Sequence, residues 1–400
     1  MKIVHIIGFF QPEYGYEEYY TALNQVKLGH EVHVITSDRI VNIPTRPLKE
    51  RIKGVGKFEE DGIIIHRLPT FFDKINDFII TWGVSKKLKF INPDIVHCHG
   101  ARQLGQFQAA RKKSKLGYKL IVDHHDFVHP GHFLHPELEK SFKNFLSILE
   151  YKTFRKWLGH YILFKADQII AVVPECKEHL IDFFNIKSDR IIVNNLAVET
   201  SLYKFTQFGR SSIRKKYNIN DNEFVLLLAG WFARRKKVEL YIQLVEKIVN
   251  ENIRLLIVGT FDKGYKKEII ELVKKKNLED KIIFAGKIDR LLLKNYFSAC
   301  DLAIYLYNAS VVWLEIMSCG VPLMGPVETQ LNHLLVSKET SIRMGDINQA
   351  YKKIIFLRNN KILRKRLGEQ STKLVQQNFS YKSSTKRIME VYHEIINEKK

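Results

Sequence analysis

A lone acidic residue, Glu315, lies within the apolar segment Trp313–Pro322 (WLEIMSCGVP). The segment predicts a short helix over Leu314–Ser318 that ends near Gly320, because glycine commonly follows the last helical residue and proline cannot continue a helix. A strand is predicted to begin at Val321. The carboxyl ends of strands in open α/β sheets are where ligands bind, so the carboxylate is a candidate ligand-binding group. The alternative is an acid that only stabilises the helix N-terminus.

Four consecutive cations, Arg234, Arg235, Lys236 and Lys237, follow a predicted strand and open a predicted helix. Cations are unfavourable at a helix N-terminus, so an anionic ligand is expected to offset their charge. A diphosphate would do so through charge-assisted hydrogen bonds, with Gly230 preceding the cluster. The alternative is a solvated basic loop.

Two acids and two histidines occupy consecutive positions, Asp123 to Asp126, at the end of another predicted strand. Burying them unpaired would be costly, which favours a functional role. Adjacent strand residues point to opposite faces, so this motif by itself rarely chelates a metal ion, and none is expected.

The loop Pro12–Gly15 joins the first predicted strand to the first predicted helix. A glycine near a helix N-terminus lets backbone amides approach a phosphate, so Gly15 is a candidate contact. An ordinary strand-to-helix turn is the alternative.

Composition restricts the class of protein. A length of 400 residues predicts two or three domains. The net charge of +21 suits an anionic small molecule, an anionic membrane surface or nucleic acid, or reflects solvated lysines alone. No nucleic-acid-binding motif accompanies the charge, so nucleic acid is not expected. Four cysteines without a CxxC pair indicate reduced thiols, and the N-terminus lacks a signal-peptide pattern, so a cytoplasmic location is expected.

Strand and helix patterns alternate along two successive segments, which predicts two doubly wound parallel sheets. The segment 199–222 is polar and is predicted to be a linker. The predicted strands are Lys2–Ile7, Glu31–Thr36, Ile63–Leu68, Asp94–His97, Lys119–Val122, Gln168–Val172 and Arg190–Val193, then Glu223–Ala229, Arg254–Gly259, Lys281–Ala285, Asp301–Leu306 and Val321–Gly325.

Five motifs together resemble a known family. WLEIMSCGVPLM is similar to the LEAMACGxPVV segment of retaining glycosyltransferases of family 4, which have the GT-B fold. LGHEVHVIT, NPDIVHCHG, ADQIIAVVPECKEHL and FSACDLAIYL match further family segments in the family's order. The resemblance implies two Rossmann-like domains facing across a cleft, residues 1–198 and 223–380. It also implies that the final helix, 381–397, packs back on the first domain.

The resemblance implies a nucleotide-diphosphate sugar as donor. In the family, the acid of the first motif binds the ribose hydroxyls, and a lysine after the basic loop binds the diphosphate. The residues at the matching donor-binding positions, or close to them, are Gly15, Gly230, Arg234, Arg235, Lys236 and Glu315.

The resemblance also implies retaining, metal-independent transfer, with no cofactor. His125 matches the family histidine that contacts the transferred sugar, and Asp126 is expected to orient it. No Asp-x-Asp motif occurs, so the usual metal ligand of the other main glycosyltransferase architecture is absent.

Two positions depart from the family pattern. Trp231 replaces an arginine, and Tyr307 replaces a glutamate that usually touches the donor sugar. These departures leave two alternatives open: a non-catalytic GT-B subunit that binds a nucleotide-sugar or a partner transferase, and a sugar-nucleotide epimerase.

The segment Phe142–Phe164 combines aromatic and basic residues. Such a helix can lie on an anionic membrane, which would suit the lipid-linked acceptors common in this family; a glycan or small-molecule acceptor is also consistent. A peripheral location on the inner face of the membrane is therefore expected. The alternative is a core-facing helix with solvated lysines.

Overall fold

The structure is a computed structural model that describes residues 1–40, 48–75, 78–125, 149, 151–329 and 331–397. The chain divides into two compact units. Unit 1 comprises Met1–Leu196 with Tyr381–Lys400, and unit 2 comprises Ala197–Ser380. The return of the chain to unit 1 places the final helix there.

Unit 1 is built on an eight-stranded sheet. Its strands, with a separate pair β5 and β6, are β1 (Lys2–Ile6), β2 (Glu31–Ser37), β3 (Gly56–Glu60), β4 (Ile63–Leu68), β5 (Thr70–Ile75), β6 (Phe78–Thr81), β7 (Ile95–His99), β8 (Lys119–His124), β9 (Gln168–Ala171) and β10 (Ile191–Val193). The order is β10-β9-β8-β7-β1-β2-β4-β3. All neighbours are parallel except β3, which runs antiparallel to β4 at the edge.

Helices cover both faces of this sheet. They are α1 (Glu17–Lys27), α2 (Val84–Ile91), α3 (Leu104–Leu116), α4 (Lys156–Lys165), α5 (Pro174–Phe184) and, from the end of the chain, α13 (Tyr381–Asn397). Helices α2 to α5 share one apolar core with the sheet. Helix α13 packs on the opposite face, where Ile388 and Tyr392 meet Ile3, Ile95 and Ile121.

Unit 2 has a six-stranded, fully parallel sheet. Its strands are β11 (Phe224–Phe232), β12 (Ile253–Phe261), β13 (Ile282–Gly286), β14 (Leu302–Ile304), β15 (Leu323–Pro326) and β16 (Ser341–Ile342), in the order β13-β12-β11-β14-β15-β16. Its helices are α6 (Gln207–Lys216), α7 (Glu239–Lys247), α8 (Tyr265–Lys275), α9 (Leu293–Ser298), α10 (Val312–Ser318), α11 (Ile347–Asn359) and α12 (Lys361–Asn378).

The segment 199–222 is part of unit 2, although its polar sequence predicts a linker. It contains α6, and two of its arginines are anchored to one acid. Arg210 and Arg214 each place an Nη2 atom 2.8 Å from a carboxylate oxygen of Asp301. A linker prediction from polarity fails here because these charges are neutralised by a residue far along the chain.

Candidate functional site

A polar layer continues the apolar sheet face that α13 covers in unit 1. Ile3, Ile95 and Ile121 belong to that face, and side chains two residues further along each strand point the same way. We call these side chains, together with the next side chain on the same face of β7, the His–Asp layer. They are almost completely buried. The layer consists of His5, His97, His99 and Asp123.

A chain of short contacts connects this layer to His125. His5 Nε2 lies 2.7 Å from Gln25 Oε1, and His5 Nδ1 lies 2.9 Å from His99 Nε2. His99 Nδ1 lies 2.5 Å from Asp123 Oδ2. On the other side of the carboxylate, Asp123 Oδ1 lies 3.2 Å from His125 Nε2. Asp123 is thus held between two imidazoles.

Asp123 belongs to the motif that the sequence analysis selected, but it was not predicted to be the partner of His125. Asp126 was expected to orient His125, and it lies outside the described residues. Among the described residues, Asp123 is the carboxylate paired with His125. The period of a strand could have indicated this pair, because residues two apart point to the same face.

Electrostatics favour a charged His125. Burial alone would lower its pKa, but the Asp123 carboxylate, helped by Glu17 and Glu18, raises the pKa of His125 to about 10. Burial also opposes ionisation of Asp123, yet His99 and His125 hold the pKa of that carboxyl well below its ordinary value. His125 therefore carries a positive charge at neutral pH.

The first turn of α1 brings two acids to the same place. Burial raises the pKa of Glu17 to about 7 and raises that of Glu18. Gly15 lies just before this turn with φ of 56°, and its N–H donates to Pro12 O at 2.9 Å. The Gly15 N–H is therefore already hydrogen-bonded within the turn. The sequence had predicted that Gly15 contacts the diphosphate of the sugar donor.

A cavity of about 230 Å³ adjoins these groups in unit 1. Glu18, His99 and His125 line it, together with Arg102 and Gln103. It offers both hydrogen-bond donors and acceptors to a polar ligand.

Two groups of side chains bring metal-binding atoms within 4.8 Å of one another: His5, His97 and His99, and His99, Asp123 and His125. Tetrahedral zinc with bonds of about 2.0–2.1 Å keeps its nitrogen ligands roughly 3.4 Å apart. The 2.9 Å contact between His5 and His99 and the 2.5 Å contact between His99 and Asp123 are shorter than that. The geometry fits hydrogen bonds better than metal coordination.

In unit 2, the basic segment forms a separate turn. Arg234–Lys236 is a 3-10 helix, Lys237 adopts a left-handed conformation with φ of 47°, and α7 begins only at Glu239. The cations therefore lie in a separate turn that precedes the first turn of α7. Gly230 lies before them, near the end of β11, with φ of 141°.

The cations of this turn have different surroundings. Lys236 Nζ donates to Ala309 O at 2.8 Å, and burial, with repulsion from Arg235, lowers the Lys236 pKa to about 8. Among the residues that the structure describes, no carboxylate pairs with Lys236. Arg234 instead pairs with Glu268 and is 60% exposed, and Arg235 is exposed. Lys236 is the cation best prepared for an anionic ligand.

Glu315 lies in the first turn of α10, close to the predicted helix start. Burial raises its pKa to about 7, although Tyr203 and Arg290 act in the opposite direction. A half-buried carboxyl group of this kind can accept hydrogen bonds from a diol once it is ionised.

The two departures from the family pattern also lie in unit 2. Trp231 is 65% exposed and donates its indole N–H to Asp262 at 2.5 Å. The Nζ atom of Lys237 lies 4.0 Å from the centre of the Tyr307 ring. An aromatic–cation pair thus stands where the family has a glutamate.

The basic aromatic segment is described at 149 and from 151 onward. Trp157 is 57% exposed and Lys152 is exposed, but Arg155 is buried against the ring of Phe78 at 5.2 Å. In the part of the chain that the structure describes, no helix has the length and apolar character needed to cross a bilayer.

Comparison with known proteins assigns both halves of the chain. Residues 19–202 match the family described as Glycosyltransferase Family 4, and residues 209–374 match Glycosyl transferases group 1. The fold and these matches define a GT-B glycosyltransferase, which confirms the predicted fold class. The chain belongs to the family 4, group 1 glycosyltransferases.

Two curated relatives and one solved structure illustrate the similarity. N-acetyl-alpha-D-glucosaminyl L-malate synthase of Bacillus anthracis is 26% identical over 48% of this chain and 50% of its own length. Alpha-monoglucosyldiacylglycerol synthase of Streptococcus pneumoniae is 22% identical over 78% of this chain and 67% of its own length. The chain thus spans about half and two thirds of these relatives. Anabaena HepE in complex with UDP has a TM-score of 0.73 at 15% identity, covering 98% of this chain and 100% of HepE.

Proposed function

We propose that this chain transfers a sugar from a nucleotide-diphosphate sugar to an acceptor hydroxyl, with retention of configuration and without a metal ion or cofactor. The observation that carries the proposal is the half-buried Lys236, which has no carboxylate partner among the described residues. The relatives' names support sugar transfer, and the UDP complex of a protein with the same fold supports a nucleotide donor.

The surroundings of Lys236 favour the binding of an anion. Burial removes water from its ammonium group, and the lowered pKa reflects that cost. A diphosphate would supply charge-assisted hydrogen bonds and raise the pKa again. Nucleotide binding near pH 8 should therefore be accompanied by proton uptake, since the bound lysine holds its proton more tightly.

The other groups complete the proposed chemistry. In unit 2, Glu315 would accept hydrogen bonds from the ribose, with Gly230, Arg234 and Arg235 near the diphosphate. In unit 1, the charged His125 would contact the sugar, oriented by Asp123. Cationic side chains would stabilise the leaving diphosphate without a metal ion. The acceptor would be a glycan, a lipid-linked molecule or a small molecule.

Lys236→Met tests the nucleotide site, with Lys267→Met as the matched control. Loss of a hydrogen bond to a charged group costs about 1.5–3 kcal/mol, so Lys236→Met should weaken UDP binding roughly 10- to 150-fold in calorimetry. Lys267→Met should change it much less, because the Lys267 side chain on α8 is 82% exposed and is not part of the proposed site. Equal UDP affinity of wild type and Lys236→Met would refute the assignment of Lys236.

Product analysis tests the reaction itself. Incubation with a nucleotide-sugar panel and a panel of glycan, lipid-linked and small-molecule acceptors should yield a glycoside of unchanged anomeric configuration by NMR, at the same rate in EDTA and in Mg²⁺. Inversion, or complete dependence on the metal, would overturn that part of the proposal.

A non-catalytic binding subunit is the second candidate. The Lys237–Tyr307 pair favours it, because a family carboxylate for the donor sugar is missing there. If the pure protein binds a nucleotide-sugar but neither hydrolyses it nor transfers its sugar, the result supports the binding subunit over the enzyme.

A further inference from the structure

Four hydrogen-bonding groups, Gln25, His5, His99 and Asp123, link the interior of unit 1 to His125, yet neither Gln25 nor His5 lines the cavity. We propose that Gln25 and His5 are positioning residues that keep His99 doubly protonated, so that Asp123 stays ionised and oriented toward His125. Only the consequence for sugar transfer rests on the proposed function; the hydrogen-bond directions do not.

The direction of the chain is set at Gln25. Its Oε1 atom can only accept, so the nitrogen 2.7 Å away, His5 Nε2, carries a proton. Burial and the neighbouring histidines lower the pKa of His5 well below its ordinary value, so this imidazole is neutral. A neutral imidazole has one protonated nitrogen, which leaves His5 Nδ1 as an acceptor.

The next contact then has one possible donor. His99 Nε2, 2.9 Å from His5 Nδ1, must donate to it. His99 Nδ1 faces the Asp123 carboxylate at 2.5 Å and also donates. With both nitrogens protonated, His99 is an imidazolium. Burial opposes this charge, but Asp123 outweighs burial and raises the pKa of His99.

Asp123 consequently lies between two cations. His99 binds one carboxylate oxygen and His125 the other, while the Gly100 N–H donates to Oδ1 at 2.9 Å. These three donors fix the plane of the carboxylate. The orientation of the Asp123 carboxylate toward His125 therefore depends on the proton at His99 Nε2, which is hydrogen-bonded to His5 Nδ1.

Other titratable groups face this chain from the surrounding elements. Glu17 and Glu18 of α1 raise the pKa values of His99 or His125. His97 of β7 has Nε2 3.4 Å from Asp123 and Nδ1 2.6 Å from the hydroxyl of Tyr392 on α13. None of them contacts His99 Nε2 in place of His5 within the described residues, so His5 alone determines the proton there.

Nitrogen-15 NMR of the full-length protein labelled at histidine tests the proton arrangement directly. In wild type at pH 7, His5 should be protonated at Nε2 only and His99 at both nitrogens. Gln25→Met removes the acceptor at similar volume. His5 can then move its proton to Nδ1 and donate to His99, so the pKa of His99 should fall by about one to two units.

Two further variants separate positioning from a general structural effect. Gln25→Glu places a carboxylate beside His5 Nε2 and should charge His5 as Asp123 charges His99, so that His5 Nδ1 is protonated and the pKa of His99 falls, as in Gln25→Met. His66→Asn disrupts a different buried histidine pair, His33 Nδ1 to His66 Nε2 at 3.0 Å, and should leave His99 unchanged. A singly protonated His99 in wild type, or an unchanged His99 in folded Gln25→Met, would overturn the proposal.

Kinetics tests the link to transfer. Gln25→Met should lower kcat about tenfold or more with an unchanged KM for the donor, whereas His66→Asn should leave kcat unchanged. If wild type transfers no sugar, the proposed function fails while the NMR result still decides the proton arrangement. If His99 loses its proton and kcat is unchanged, the positioning role in transfer is wrong.

Discussion

At the scale of single residues, Glu315 makes stability depend on pH. Its pKa is about 7 in the folded chain and 4.5 for an ordinary glutamate. Between these values the folded state holds a proton that the unfolded state has lost, so the free energy of unfolding falls as pH rises from about 4.5 to 7. Above about pH 7, Glu315 is ionised in both states and the free energy of unfolding no longer changes because of it.

Glu315→Gln should remove this decrease in the free energy of unfolding between pH 4.5 and about 7. We expect the melting temperature of the variant, relative to wild type, to increase between pH 5 and pH 7 and then stay level to pH 8. A change of 1 kcal/mol corresponds to roughly 2–4 °C in a unit of this size. Glu271→Gln, at a side chain that is 63% exposed, is the control. A constant difference across this range would contradict the buried-acid assignment.

At the scale of elements, the ends of β11 and β12 approach too closely for a side chain. A Cβ at Gly259 would lie 1.8 Å from Gly230 O, and Gly259 has φ of 137°. Gly259→Ala should therefore separate the strands next to the basic turn and destabilise unit 2 by several kcal/mol.

Gly264→Ala provides a matched comparison for that strand pair. Its φ of 87° also disfavours alanine, but no atom lies within 4 Å of the added Cβ. Its cost should be limited to about 1–2 kcal/mol of backbone strain. Urea denaturation measures both variants, and equal destabilisation would show that the close strand approach is unimportant.

At the scale of the whole molecule, the final helix belongs to unit 1 although unit 2 precedes it in the chain. Ile388 of α13 is 3% exposed and packs with isoleucines of the sheet. Ile388→Ala should destabilise unit 1 by about 2–5 kcal/mol because it leaves a cavity. Lys386→Ala, at a side chain that is 79% exposed, should be nearly neutral in the same denaturation experiment.

A surface of unit 1 also predicts salt-sensitive membrane binding. Lys152 and Trp157 are exposed near each other along the chain, and each lysine near an anionic surface contributes about 1 kcal/mol. We expect co-sedimentation with anionic liposomes at low salt and release at high salt. Lys152→Glu with Trp157→Ser should reduce binding, whereas Lys365→Glu in unit 2 should not. Arg155 is unsuitable for this test because it is buried.

Local patterns in the sequence predicted most strands of the two sheets and part of the site, but they did not predict β3, β5, β6 or β16. Short apolar runs predicted the central strands of both units, since parallel strands with both faces covered are apolar along their length. The resemblance to the family directed attention to Lys236, Glu315 and His125, which lie where strands end or helices begin. Such positions follow from short segments because strand and helix ends depend on nearby residues.

The pairing of charges was decided only by the tertiary structure. His99 holds Asp123 because the parallel strands β7 and β8 bring residues from distant parts of the chain to one sheet face. Arg214 is buried in a segment that appeared to be a linker because Asp301 neutralises it. A sequence specifies which charges exist, but the cost of burying each one depends on partners that only folding brings within hydrogen-bond distance.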